Sequence, residues 1–398
     1  MNWSLLEMNE TINRSRGTAK RLKIFRLLPV VVLLAICTGL VTTSTLASSP
    51  ASQAQPQTGS SDNPTPQANP NGSSTNVQIY LPHVRRQNPG FMMLGAYIPG
   101  YAGSQQVINT EIRGMDSWIG KQHSIVGLWV DLKDGNPAYN IPTQLESLYK
   151  NGYTAFINLK ANHTMAEIAQ GNIDTYIRNT ARAFSTWANK GENRMAFIAP
   201  FTEMNGDWTT YGSDPTNFKL GYQRVRNIFT HEGVPASATR WVFGPNGWSI
   251  IPFEDFYPGD AVVDINALSS YNYGYCSAIS PWFEWKSPQV VYGPYLQRMK
   301  VMAPSKPIFI AQTATTGLNK NGMDPAAKNQ WLEEALNYLA ADGYVQAFIY
   351  VNLLLECDWP IYTSSGVRFD GYKQGATNSG IIYLAPADMV NRHFVIQP

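Results

Sequence analysis

Eight short apolar runs recur along residues 91–398, each followed by a polar or amphipathic stretch. They are "FMMLGAYIPG" (91–100), "SIVGLWVDL" (124–132), "YTAFINLKA" (153–161), "MAFIAPFTEMNG" (195–206), "RWVFGPN" (240–246), "VVDINALSSYN" (262–272), "PIFIAQT" (307–313) and "VQAFIYVN" (345–352). Most are continuously apolar rather than alternating, the pattern of strands covered on both faces. Between them, "IDTYIRNTARAFSTWANKG" (173–191) and "AAKNQWLEEALNYLAADG" (326–343) carry apolar residues at helical spacing. The second stretch is expected to stop at Gly343, since glycine ends helices readily. Strands alternating with helices over this length predict a (β/α)8 TIM barrel. The competing open, doubly wound sheet usually shows a phosphate-cradling glycine turn after its first strand. "AYIPGYAGSQ" has the glycines without that spacing.

The chain upstream reads differently. Residues 1–47 join a basic segment (Arg14, Arg16, Lys20, Arg21, Lys23, Arg26) to the apolar run "LLPVVVLLAICTGLV" (27–41). This is the layout of a secretory signal peptide, with small residues for cleavage at Ala47, Ser48, Ser49, Ala51 and Ala54. A retained membrane anchor is the second reading, although the run is shorter than the roughly 20 residues of a relaxed span. Cys37 suits a lipoprotein site poorly, because Ile36 precedes it. Residues 48–78 are rich in Pro, Ser, Gln, Asn and Thr and nearly free of apolar side chains, as in a disordered linker. Residues 79–398 form the expected barrel unit, introduced by the strand-like "VQIYLPHV" and folded from about Phe91. The protein is therefore expected to be secreted or extracytoplasmic, with residues 27–41 as its only route to a membrane.

Composition narrows the chemistry. Charged residues are 15% of the chain, against about 25% in ordinary soluble domains. Aromatic residues are 12%, with 11 Trp and 21 Tyr. Few charges and many rings suit a surface that stacks on neutral sugars, or the core of a large barrel. The formal charge of +2 conceals a local +4 in residues 1–26, leaving the rest at −2. Nothing in that balance points to nucleic acid. Beyond the leader only Cys276 and Cys357 remain, as a disulfide or as two thiols. No phosphate loop, Gly-x-Ser-x-Gly elbow, His-Glu-x-x-His or Cys-x-x-Cys occurs, and the five histidines form no ligand pair. No metal or cofactor is expected. Asp255 and Asp260 lie among Pro and Gly and read as turn residues; Trp282 and Trp285 read as groove or as loop packing.

A barrel's chemistry sits at the C-terminal ends of its strands. Those ends bring Asp131, the stretch Glu203–Trp208, Asn246, Tyr271, Tyr273, Gln312, Glu356, Asp358 and Trp359. "APFTEMNGDW" (199–208) is the most informative. A carboxyl leaving an apolar strand, with an amide and a tryptophan close behind, suits a general acid whose partial burial keeps it protonated. The plainer reading makes Glu203 one half of a structural salt bridge.

"PFTEMNGDW" resembles the acid/base segment of glycoside hydrolase family 26, the β-mannanase family, which typically reads His-Glu-Met-Asn-Gly with a Trp downstream. "GNIDTYI" (171–177), "FGPN" (243–246) and "FYPGDAVVDINALSSYNYG" (256–274) extend the likeness over essentially all of 91–398. The resemblance implies a (β/α)8 barrel that cleaves β-linked polysaccharide with retention, using glutamates after the fourth strand and at the end of the seventh. Carried over, Glu203 is the proton donor, Trp208 stacks on sugar, and Thr202 stands where the family has histidine. Tyr271, or else Tyr273, falls on the tyrosine that bonds the nucleophile, and Trp359 on the floor of the cleavage subsite. Asn246 joins the substrate contacts at the fifth strand end.

The nucleophile position falls on Gln312. A neutral amide cannot attack the anomeric carbon, and no Glu or Asp lies between Glu284 and Asp324 to correct the register. Two readings remain. One is a hydrolase that recruits Glu356, Asp358, Glu254 or Asp131. The other is a catalytically silent relative that binds β-glycan in an unchanged cleft.

Overall fold

The computed structural model describes residues 91–133, 137–191, 193–276 and 284–396. The leader, the linker, "VQIYLPHV" and Trp282 lie outside the described residues.

Eight parallel strands form the barrel: β1 Met92–Tyr97, β2 Ile125–Asp131, β3 Thr154–Lys160, β4 Ala196–Pro200, β5 Thr239–Phe243, β6 Ile265–Ser269, β7 Ile308–Thr313 and β8 Val345–Val351. Each pairs with its sequence neighbours, and β8 returns to β1 with Met93 opposite Ala347 and Tyr97 opposite Val351. That last pairing closes the ring and removes the sheet edges. Seven of the eight strands lie inside the apolar runs, and β5 begins one residue before its run, at Thr239. In β1, β4, β6, β7 and β8 every residue is buried. One side of each such strand faces the barrel axis and the other a covering layer, which is why these runs do not alternate. A further short strand, Ile381–Ile382, pairs in parallel with the start of β1 outside the ring.

The N-terminal mouth of the barrel is filled from the chain's C-terminal end. Phe394 packs edge-on against Phe197 of β4 and Phe309 of β7, at ring separations of 5.5 and 5.9 Å. Both strands contribute these rings near their starts, so the open end of the barrel is the opposite one.

Helix Asp174–Ala188 falls within the first expected helical stretch, and Pro325–Ala340 matches the second but starts one residue earlier. Asp324 caps the latter by accepting from Ala327 N, and Pro325 occupies the first turn. Its end differs from expectation: the helix closes at Ala341, whose backbone is right-handed. Gly343 lies two residues beyond, in the Asp342–Val345 turn that leads into β8. The fifth connection carries no α-helix, only the single 3-10 turn Phe253–Phe256. Pro252, Pro258 and Gly259 interrupt the segment, and proline supplies no backbone N–H for a longer helix.

Cys276 and Cys357 are joined in a disulfide, with Cα atoms 6.0 Å apart across 81 residues of sequence. The bridge ties the loop after β6 to the loop after β8. No helix among the described residues is long and apolar enough to cross a membrane.

Candidate active site

The exit of β4 is backbone-strained. Phe201 and Glu203 both take left-handed conformations, φ 55° and 60°, on either side of Thr202. Such residues each cost on the order of 1–3 kcal/mol and persist only where surroundings hold them. Phe201 N is held by Leu159 O at 2.7 Å and Glu203 N by Gly244 O at 2.8 Å. Phe201 and Met204 are fully buried beneath the turn.

The rest of "EMNGDW" then has a mechanical explanation. A Cβ at Gly206 would lie 2.3 Å from the Trp208 ring, so only glycine lets the indole fold back over the loop. Trp208 Nε1 thereby donates to Glu203 Oε2 at 2.9 Å. Asn205 pairs with the backbone of Asn246 in both directions, each bond 2.8 Å. Asn246 in turn donates from Nδ2 to Glu203 Oε1 at 3.3 Å and accepts from Trp248 N at 3.0 Å. Burial pushes the Glu203 carboxyl above the ordinary range. Donors from Trp208, Asn246 and Ser269 oppose that shift without cancelling it, and the charge of Glu356 adds to it. The group is a positioned acid that keeps its proton above the usual pH. Among the described residues it has no cationic partner.

Gln312 is buried at the end of β7. Its Nε2 donates to Asn158 Oδ1 at 3.1 Å and reaches Thr202 Oγ1 at 3.4 Å. Asn158, on β3, donates to Tyr97 Oη at 2.8 Å and to Leu128 O at 3.1 Å. A Cβ at Gly127 would lie 2.3 Å from the Tyr97 ring, which explains glycine at that point in β2. Tyr97 stacks on Trp129 at 4.2 Å. Thr202 and Gln312 are therefore in contact with each other. Thr202 also adjoins Glu203 in sequence, so it links Gln312 to the Glu203 turn.

An aromatic wall borders that mouth. Trp208 stacks on Trp248 at 4.7 Å and 20°, and Trp248 meets Tyr273 edge-on at 6.4 Å. Tyr271 and Tyr273 lie 5.5 Å apart and rest on Trp359 at 5.8 and 5.4 Å. Burial raises both phenols well above their ordinary range, and the Glu203 carboxylate reinforces this. Trp359 is fully buried, so it backs the two tyrosines rather than offering a face to the cleft. Trp248 is 36% exposed and does offer one.

Sequence reasoning missed Trp248, Asn158, Tyr97 and Trp129. Asn158 left a signal, an amide inside the apolar run "YTAFINLKA". Trp248 lies in a polar loop and left none.

The four alternative carboxylates differ in what they touch. Glu254 is held by Arg298 at 2.7 and 2.5 Å. Asp131 pairs with Lys160 at 3.1 Å and Lys133 at 3.5 Å. Asp358 accepts from Thr316 Oγ1, from Gly317 N at 3.0 Å and from Lys328 Nζ at 3.4 Å. The Glu356 carboxylate has no hydrogen-bond or ion-pair partner among the described residues, and its charge acts on Glu203, Tyr271 and Tyr273. Lys328 is buried beneath the same loop. It donates to the carbonyls of Asp358, Trp359 and Pro360, and burial pulls its ammonium down to about 8.

No protein-family model matches the chain. Over 232 residues it is 26% identical to Endoglucanase H of Acetivibrio thermocellus, a match covering 55% of this chain and 24% of that protein. The chain thus spans about a quarter of that relative's length. In structure it is similar to the catalytic domain of a GH26 endo-beta-1,4-mannanase from Bacillus sp. JAMB-750, with TM-score 0.56 and 14% identity over 76% of this chain and 90% of the other. A GH26 β-mannanase from Bacteroides ovatus gives 0.53 and 12%, over 78% and 94%. At these identities the structural likeness is one of fold.

Proposed function

We propose that this chain is an exported glycoside hydrolase of the family 26 type, acting on β-linked polysaccharide with Glu203 as the proton donor. The observation that carries the reading is Glu203 itself. It is a carboxyl whose proton affinity burial raises, fixed by Trp208 and Asn246, at the open end of a barrel and beside stacked indoles. Such an acid protonates the leaving glycosidic oxygen, while ring faces accept the C–H face of a sugar. The names of the similar proteins, two mannanases and an endoglucanase, support a β-1,4-linked hexose polymer as substrate class. Trp208, Tyr271, Tyr273, Asn246 and Thr202 are the proposed substrate contacts, with Trp359 supporting the tyrosines from behind.

The test is release of reducing ends from β-mannan and β-1,4-glucan by the native protein and by Glu203→Gln. Loss of a general acid lowers kcat by about 10²–10⁴-fold. Equal turnover by the variant sinks the assignment of Glu203.

A second reading, glycan binding without turnover, is favoured by Gln312. By the resemblance, the amide falls where a retaining enzyme carries its nucleophile. On that reading the native protein binds glycan without cleaving it, and Gln312→Glu gains cleavage.

A further inference from the structure

Among the described residues, Glu203, Gln312 and the side chains that hydrogen-bond them have no second carboxyl among their partners. Retaining hydrolysis still needs an oxygen that attacks the anomeric carbon, and some glycosidases take it from the substrate. Two routes through the strand ends join Gln312 to Glu203. Thr202 Oγ1, one residue from Glu203, is 3.4 Å from Gln312 Nε2. On the other side, Ser269 is the register partner of Gln312 and bridges in parallel to Asn246, whose Nδ2 donates to Glu203 Oε1. The Gln312 amide has one orientation in this network. Leu128 O can only accept, so Asn158 turns Nδ2 to it and Oδ1 to Gln312, which must answer with Nε2. Gln312 Oε1 is thereby turned away from Asn158 and accepts from no described residue. The residue is only 4% exposed, yet this oxygen is not sealed from solvent. A fixed, unpaired acceptor thus stands at the open end of the barrel, next to the acid.

Resting on the hydrolase reading above, we infer that the substrate brings its own nucleophile: the site takes a β-linked 2-acetamido-2-deoxyglycan, and Gln312 Oε1 accepts from the acetamido N–H. That bond turns the acetamido carbonyl oxygen towards the anomeric carbon of the same sugar. In the first step this oxygen bonds to the anomeric carbon, the glycosidic C–O bond breaks, and its oxygen leaves with the proton of Glu203. The product is a cyclic oxazolinium ion, whose positive charge makes the N–H a stronger donor to Gln312. In the second step water bonds to the anomeric carbon and gives a proton to Glu203, and the acetamide oxygen is released. Two displacements retain the β configuration. A neutral amide suffices, because it orients a group and never attacks. Attack from behind requires the acetamido group trans to the leaving oxygen, so the sugar is of gluco or galacto configuration. In a manno sugar the 2-substituent shares the face of a β-leaving group and cannot take part. Trp129, half-buried and stacked on Tyr97, brings an indole to the same strand ends for the acetamido methyl.

The experiment offers the native protein, Glu203→Gln and Gln312→Met the β-1,4- and β-1,6-linked hexamers of N-acetylglucosamine, beside β-1,4-linked hexamers of glucose and mannose. The expected result is native turnover of an acetylated hexamer at least about 100-fold above both unacetylated ones, with a β-anomeric first product by proton NMR. In Glu203→Gln and Gln312→Met kcat falls by at least about 100-fold. Two readouts need no variant. The thiazoline of N-acetylglucosamine, a stable copy of the oxazolinium ring, inhibits the native protein competitively. Trifluoroacetamido in place of acetamido weakens the attacking oxygen and slows native turnover by at least about 100-fold. Cleavage of the glucose or mannose hexamer within about tenfold of an acetylated one, or faster, overturns the inference and leaves the hydrolase reading standing. So does an α-anomeric first product, turnover indifferent to the trifluoroacetyl group, or Gln312→Met turnover within about threefold of native. Native binding without cleavage overturns it in favour of the silent binder. If no form binds or cleaves any of these glycans, both readings fall.

Discussion

Replacing Gln312 by glutamate sets a carboxylate against a hydrogen-bond network arranged for an amide. Gln312 Nε2 donates to Asn158 Oδ1. Asn158 cannot turn over to meet a carboxylate, because its Nδ2 already serves Tyr97 Oη and Leu128 O. Reversal would place Oδ1 against the Leu128 carbonyl. The Thr202 hydroxyl can rotate to donate, so one of the two contacts of Nε2 is recovered. What remains is one lost bond and a desolvated charge facing an acceptor, about 2–4 kcal/mol at neutral pH. For a folded unit of this size the loss corresponds to a fall in Tm of about 3–6 °C. The sign with pH follows from linkage. Burial raises the new carboxyl in the folded state above its unfolded value near 4.3. The penalty is therefore complete above the folded value, shrinks as pH falls through it, and vanishes below the unfolded value, where the protonated acid donates as the amide did. Calorimetry of both forms between pH 4 and 8 measures this. Equal Tm at pH 7, or a deficit that grows towards acid, refutes the account of the network.

Trp208→Phe removes the N–H that donates to Glu203 Oε2 while leaving a ring against Trp248. A bond to a charged group is worth about 1.5–3 kcal/mol, so the basic limb of the pH–rate profile moves up by about one unit or more; an unmoved limb denies the coupling. Lys328, held down to about 8 by burial, loses its proton in the folded state before the unfolded one. Native stability therefore rises from pH 8 towards 10, with a limiting slope of about 1.4 kcal/mol per unit. Urea titrations should show that rise in the native protein and none in Lys328→Met, and a shared slope would contradict it. Converting Cys276 and Cys357 together to serine opens a loop of 81 residues. Chain entropy sets the loss at about 4.5 kcal/mol, and a change in urea unfolding below about 1 kcal/mol would show that the bridge is not a stabilising constraint.

The sequence alone determined the barrel and half of its site. Strands buried on both faces require uninterrupted apolar runs, so composition within a few residues located all eight. Glu203, Trp208, Asn246 and Gln312 were visible because each breaks such a run at its end, where a barrel opens. Only the tertiary structure decided what these residues meet. Gln312 finds its partners 154 and 110 positions away, at Asn158 and Thr202. Long separation in sequence likewise left the disulfide as one of two readings and hid the stacking of Trp248 on Trp208 and the burial of Trp359 behind two tyrosines. It also hid which of four carboxylates was left uncommitted. Local pattern records whether a side chain is covered, because burial selects residue type directly. It does not record by what, because ring closure brings together strands whose order along the chain carries no trace of the contact.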